Sequence, residues 1–588
     1  MDPDERILVP VGPGAGRWRT FAGERVLVVA ARTVTSLVRA LDVVPEIVLD
    51  DPRVTVVFAY DPTSAFNNGV LDLLRASGCR TLPWSQLDEI APDLLISASE
   101  NIEVPDGDYP VLVLPHGIGF QKFVPDSAGS GTRLSGLVQE DLLRARRAWL
   151  AVSHPDQVAQ LAAAHPGTVG RTVLVGDPCL DRLRASAGWR ERYRSAFGLL
   201  PGQRLVLISS TWGAESLIGT RPGLPVDLLA QLPADEFRVA LVLHPNVWSA
   251  HGAWQVRVMQ RTALEAGLIV VDPTDGWQQA VVASDVVIGD HGSVTLYGAA
   301  VGRPVLLAAF GSEAVPGTAG YALRRAATWV AADRPLREQL ENLLSGHHPD
   351  RFAAVAAGAF AEHDSALTHL RDIVHGLLGL SPREHVRPRG PRALPLPPPA
   401  TTRARSFLVH TEVERDADGQ VHVRVRRFPA GPAEESAEGE SSFWHLACDI
   451  DEPDTRLTQS ASVICAGSHS GSPSSHTAAE DVERLLAGFP GARIAALPQE
   501  DGCLVGLRDG RAVRVVAREG TLTDPGTAAA VVYAALRGEL PLHETVLTVW
   551  LGARRQNLAL RGPVGTPGSQ STASRARTTA ARGLPPSS

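Results

Sequence analysis

Four places in the chain set a chemically capable residue directly after a short apolar run. Residues 109–114 lead into Pro115, His116 and Gly117, with Lys122 six residues beyond the histidine. Residues 237–243 lead into His244 and Pro245, and residues 204–209 into Ser210, Thr211 and Trp212. Residues 286–288 lead into Gly289, Asp290, His291, Gly292 and Ser293. An imidazole titrates near neutrality, which suits a general base. Gly117 and Gly119 make the loop after His116 a place where backbone can approach a ligand. Ser293 stands where a helix begins, and a helix N-terminus offers unpaired N–H groups to a phosphate. Each has an ordinary explanation on its own: Ser293 capping its helix, His291 facing water, His116 bonding its loop to the scaffold. Their repetition at strand ends is harder to derive from core packing, because polar groups there are most useful at a shared cleft.

The elements that must position these groups alternate. Strands are expected at 25–31, 54–60, 93–97, 109–114 and 148–152, with helices at 34–49 and 69–77. A second series has strands at 204–209, 237–243, 268–271 and 286–288 and a helix at 277–284. Runs such as Val286-Val287-Ile288 contain nothing polar, the mark of a strand buried on both faces of a parallel sheet. Strands alternating with helices imply right-handed crossovers, hence two Rossmann-like α/β domains. Residues 23–180 form the first and 181–380 the second. The turn within 173–183 is the hinge, and the helical spacing of 351–380 closes the second domain. No Gly-x-Gly-x-x-Gly follows the first strand, so a dinucleotide at that end is not supported.

Around this body lie less regular stretches. Residues 1–22 read as an extended lead-in. Residues 381–403, with Leu394-Pro395-Leu396-Pro397-Pro398-Pro399, read as a semi-rigid linker. Residues 404–561 read as a small α+β domain, with hairpins at 406–427 and 503–517, a helix at 528–536 and a strand at 545–551. Within it Ser468-His469-Ser470-Gly471-Ser472 is expected to be a loop, and Glu414, Asp449 and Asp451 solvated surface rather than a metal site. Residues 562–588, made of Ser, Thr, Pro, Gly and Arg, read as a disordered tail.

Composition narrows the function. The chain has 588 residues and a net charge of −8, which leaves no bulk basic surface and argues against nucleic acid as a partner. Of its 56 basic residues one is a lysine, Lys122, and it falls beside His116. The five cysteines lack metal-like spacing, which argues against a zinc site and fits a reducing, cytoplasmic setting; no metal or cofactor is expected. The acidic start carries no signal-peptide core, and no apolar run approaches the roughly 20 residues that cross a bilayer, so any membrane contact is peripheral.

The ordered motifs resemble those of the CDP-glycerol glycerophosphotransferases that polymerise teichoic acids, which have a GT-B glycosyltransferase-like fold. The resemblance rests on His116-Gly117 with Lys122, Gly176-Asp177-Pro178-Cys179-Leu180-Asp181, Thr211-Trp212, His244-Pro245, and Asp290-His291-Gly292-Ser293 followed by Arg303-Pro304-Val305. It covers about 110–310. It implies a transferase moving glycerophosphate or a glycosyl group from a nucleotide-diphosphate donor to a hydroxyl acceptor, in cell-envelope polymer synthesis. It implies His116 as general base and His244 as the residue holding the diphosphate and stabilising the leaving group. Ser293, backed by its helix, would bind the donor phosphate, Asp290 would position the loop or a donor hydroxyl, and Thr211 would lie near the nucleotide. Gly117, Lys122, His291 and Gly292 complete the expected substrate- and phosphate-binding set. Two departures stand out: Gly292-Ser293 replaces the usual Ser-Ser, and no downstream arginine motif is found. A UDP-sugar 2-epimerase of similar fold, or a catalytically inactive scaffold whose 404–561 domain binds a protein partner, are the alternatives.

Overall fold

The computed structural model describes residues 6–21, 23–125, 131–381, 390–433, 444–467 and 477–562. The Ser468–Ser472 run and the tail from 563 onward therefore lie outside the described residues, as do parts of the lead-in and linker. The chain divides into two compact units, the first built on residues up to Arg405 with a further piece beginning at Arg427, the second on Ser406–Arg426 and the described residues from Trp444 onward.

The first unit holds two parallel sheets. One contains β1 (Arg25–Ala31), β2 (Val54–Tyr60), β3 (Thr81–Pro83), β4 (Leu94–Ser97), β5 (Val111–Val113), β6 (Ala148–Val152) and β7 (Thr172–Leu174). The other contains β8 (Arg204–Ser210), β9 (Phe237–Leu243), β10 (Ile269–Val270), β11 (Val286–Gly289), β12 (Val305–Leu307) and β13 (Thr328–Trp329). The orders are β3-β2-β1-β4-β5-β6-β7 and β10-β9-β8-β11-β12-β13. Each runs outward from its first strand and then reverses, between β1 and β4 and between β8 and β11. That is the doubly wound order of nucleotide-binding sheets, whose ligands sit beyond the strand carboxyl ends at the reversal. Both faces of each sheet are packed, as the all-apolar runs require. The α/β class expected from the sequence, two Rossmann-like halves plus a smaller C-terminal domain, is the one these elements form.

The helical stretch at 351–380 does not act as one closing element. Phe352, Val355 and Ala356 stay in the second sheet's core. The helix Ala366–Leu377 instead sets Leu370 and Val374 against Leu37 and Val44 of the helix Val34–Ile47, in the first sheet's core. The return is fixed chemically. The Asp181 carboxylate accepts the N–H groups of Asp364 (2.9 Å) and Ala366 (3.1 Å). Beside it Gly176 has φ 82°, and a Cβ there would sit 2.9 Å from the Glu362 carbonyl oxygen, so only glycine fits.

The Pro-rich stretch is a strap. Leu394 is buried, its N–H donates to Ser186 Oγ (2.9 Å), and its carbonyl accepts the Tyr193 hydroxyl (2.8 Å). Gln279 donates to the Pro395 carbonyl (3.1 Å), and Ala400 N–H donates to the Ala196 carbonyl (2.8 Å). Proline keeps such a segment extended, because it removes donors that a helix or strand ladder would need.

The second unit closes its strands into a barrel. These are β14 (Ser406–Arg415), β15 (Val421–Pro429), β16 (Trp444–Asp449), β17 (Val463–Cys465), β18 (Ile494–Gln499), β19 (Gly502–Leu507), β20 (Ala512–Ala517), β21 (Thr545–Leu551) and β22 (Arg554–Arg561). Their order is β14-β15-β21-β22-β20-β19-β18-β17-β16, with β16 pairing antiparallel to β14. The helix Pro525–Arg537 shares one core with Val409, Val423, Val463, Val505, Val515, Leu547 and Leu558. Ala528 through Val532, Ala534 and Ala535 are all buried, so this helix is apolar all round, as a helix without a solvent face must be. The helix Ala478–Gly488 is amphipathic and buries Val482 and Leu486 against Cys448, Ile464 and Ala495.

Candidate functional site

The second sheet supplies one side of the site. At its reversal, Asp290 follows β11 and is fully buried. Its Oδ2 accepts N–H groups from Thr211 (2.9 Å) and Leu217 (2.8 Å), and its Oδ1 accepts Gly292 N–H (2.9 Å). One carboxylate thus ties the ends of β8 and β11 together. His244 follows β9 and caps the helix Pro245–Met259, with Pro245 in its first turn. The His244 Nδ1 accepts Asn246 N–H (3.1 Å), which leaves the ring proton on Nε2 as a donor.

The helix Ser293–Ala300 is capped by Gly292, and Ser293 makes no capping bond. Its hydroxyl instead accepts Ile118 N–H (3.1 Å) from the loop after β5. Gly117 permits that approach, because a Cβ there would lie 2.7 Å from Ser293 Oγ. His291 does not face water. Its side chain is 1% exposed, Nδ1 accepts Gly311 N–H (2.9 Å), and Nε2 lies 2.6 Å from Glu313 Oε1. Both ring nitrogens hold the 311–313 turn in place.

The first sheet supplies the facing side. His116 follows β5, and the loop after it is stitched onto that turn. Phe123 N–H donates to the Glu313 carbonyl (2.7 Å), and Val315 N–H to the Gln121 carbonyl (2.9 Å). Lys122 places Nζ 3.4 Å from Thr211 Oγ1 and 5.7 Å from the centre of the Trp212 ring. Between the two sides is a cavity of about 150 Å³. His116, Gly117, Lys122, Thr211, His244, His291, Gly292 and Ser293 all line it, while Asp290 lies behind, under the loop.

Burial sets the protonation states. It presses His116 below its ordinary value, with Lys122 and Arg39 pushing the same way and the Glu100 carboxylate and Ala98 carbonyl pulling back. A proton facing that carbonyl leaves the other ring nitrogen with an open lone pair. Burial lowers His244 well below its usual value, helped by Lys122 and His116. It also lowers the Lys122 amine, against the pull of Glu313, Asp290 and Glu100. The cavity therefore carries one imidazole able to accept a proton, one able to donate a hydrogen bond, and an ammonium group beside them. Among the described residues no group of three or more His, Cys, Asp or Glu side chains is placed to hold a metal.

Three neighbours escaped the sequence reading. Glu100, just past β4, accepts Gly136 N–H (3.1 Å) and acts electrostatically on His116. The strand-end rule applied to β4 would have found it. Arg39 and Tyr297 complete a chain from the helix Val34–Ile47 to Asp177 in the hinge motif, and no local motif marks the two of them. Among the described residues no helix is long and apolar enough to cross a membrane.

No family model matches the sequence, and no curated protein matches it. Solved structures do resemble it. The wall teichoic acid polymerase TagF is 13% identical over 60% of this chain and 89% of its own, at a TM-score of 0.43. The UDP-GlcNAc 2-epimerase from Neisseria meningitidis bound to UDP-GlcNAc is 13% identical over 60% of this chain and 99% of its own, at 0.39. The S. aureus MnaA–UDP structure is 11% identical over 63% and 100%, at 0.37.

Proposed function

We propose that the first unit is a transferase that moves a glycerophosphate or glycosyl group from a nucleoside-diphosphate-linked donor to a hydroxyl. The observation that carries this reading is the convergence of His116, His244 and Lys122 on one cavity floored by the Ser293 helix. The acceptor hydroxyl loses its proton to the open nitrogen of His116 as its oxygen bonds to the transferred group. The bond between that group and the nucleotide phosphate oxygen breaks, and its electron pair leaves on the phosphate. His244 Nε2–H and the Lys122 ammonium stabilise the developing charge, with the Gly292–Ser293 helix start receiving the diphosphate. Asp290 and His291 position this loop. Catalysis by such a site is mostly alignment and charge stabilisation.

An epimerase would need acid and base groups facing two sugar carbons. Asp290 and His291 would be wanted for that, yet both spend their polar atoms on the backbone and Glu313. Thermal-shift titration of the full chain with CDP, UDP and CDP-glycerol tests the transferase. At least one raises the melting temperature, and His244→Ala lowers that response. A flat response to all three in folded protein refutes the reading.

A further inference from the structure

We infer that Arg39 marks a second oxyanion site, on the first-sheet side of the cleft, which takes a phosphate or carboxylate of the hydroxyl-bearing co-substrate. The assignment of that substrate rests on the two-substrate reading above; the anion site itself does not.

Arg39 lies on the helix Val34–Ile47, is 7% exposed, and lines the same cavity as His116. Its one hydrogen bond among the described residues runs from Nη2 to the Tyr297 hydroxyl (3.2 Å). The Tyr297 hydroxyl in turn donates to Asp177 Oδ2 (2.8 Å), and Asp177 Oδ1 accepts Leu180 N–H (2.8 Å). The nearest acid on its own helix, Asp42, is taken by Arg182 (2.7 Å). Two other sheltered arginines of this unit touch a carboxylate, Arg32 meeting Asp61 at 3.0 Å and Arg194 meeting Asp285 at 2.7 Å, while Arg238 and Arg303 donate to the carbonyls of Thr402 and Val282. Arg39 has only a neutral hydroxyl, with Asp177 one group further away.

A guanidinium cannot shed its proton, and it carries five donors in a planar fork. Buried without a touching anion it is costly, so a purely structural role would favour a direct carboxylate of the kind used elsewhere in this unit. An oxyanion entering the cavity would complete the fork. The donor diphosphate is accounted for by His244 and Ser293 on the other side and by Lys122, which reaches across to Thr211. The anion at Arg39 therefore belongs to the second substrate, whose hydroxyl would then lie toward His116.

Calorimetric titration of the full chain with sn-glycerol 3-phosphate, D-glycerate and glycerol tests this. One or both anions bind and glycerol does not, and the stronger anion tells phosphate from carboxylate. Arg39→Gln weakens that anion by about tenfold or more, while any CDP affinity stays within about twofold. Wild-type anion affinity in Arg39→Gln overturns the proposal, as does failure of both anions to bind wild type. Should Arg39→Gln not fold, arginine modification by phenylglyoxal, read by mass spectrometry on wild type, decides. The bound anion slows the adduct at Arg39, and absence of protection overturns the site. Arg39-dependent anion binding with no response to any nucleotide leaves this site standing and removes the donor reading instead.

Discussion

Asp290→Asn is the sharpest perturbation of the site's scaffold. The carboxylate is fully buried and accepts three backbone N–H groups, from Thr211, Leu217 and Gly292. An amide of the same shape has one accepting oxygen and one NH2 group that only donates. If the oxygen keeps Thr211 and Leu217, the NH2 group faces Gly292 N–H, and one buried donor is left unmatched. A buried unmatched donor costs about 1–3 kcal/mol, and charge assistance is lost from the bonds that remain, so a local cost of about 2 kcal/mol is expected. That corresponds to about 30-fold faster exchange of the amides that open with this loop. Hydrogen-exchange mass spectrometry on peptides carrying Thr211, Leu217 and Gly292 reads it directly, with peptides of the barrel as internal control. Unchanged protection in Asp290→Asn would mean that the carboxylate does not hold β8 and β11 together, and the account of the site's floor would fall with it.

His116→Gln should lower transfer by about 100-fold or more while leaving nucleotide affinity near wild type, as for loss of a general base. In the wild type the lowered His116 keeps the neutral form dominant at pH 7, so transfer should fall only on acidification below the ordinary histidine value; a rate still rising there would contradict the assignment. In the barrel, His445 is buried, lies 4.0 Å from the Tyr533 ring, and among the described residues has no partner for either ring nitrogen. Burial holds it down at about 3 against an ordinary 6.5, so the unfolded chain takes the proton first as pH falls. Its contribution is intact above pH 6.5 and is lost toward pH 3 at about 1.4 kcal/mol per pH unit. His445→Phe should flatten that slope in acid urea melts of the barrel, and an unaltered slope would refute the cause.

Much of the first unit was legible because its strands are short, apolar and regularly interrupted. Val286–Ile288 and 237–243 announce buried parallel strands, and the polar residues after them fall where such sheets put ligands. What the sequence could not show was partnership. Ser293 reads as a cap by its place, yet Gly292 caps and the Ser293 hydroxyl turns to Ile118, because Gly117 lets that backbone come close. His291 reads as exposed because its neighbours are polar, yet Gly311 and Glu313 arrive from twenty residues away and bury it. The helix at 366–377 carries the same periodicity whichever sheet it covers, and Asp181 decides the matter from far along the chain. In the second unit the hairpins are local and visible. Closure of β14 onto β16 is a long-range pairing with no local signature.

The strap at 390–404 bears on where this protein can be cut. Composition suggests an unattached spacer, and trimming the chain at 380 looks harmless on that basis. Such a cut would strip a buried leucine from its socket and orphan the Tyr193 hydroxyl and the Ser186 acceptor. Removing a buried leucine alone costs about 2–5 kcal/mol. A fragment of the first unit meant to stand alone should keep the proline run to residue 404, because that run is the last staple of the half built on the second sheet.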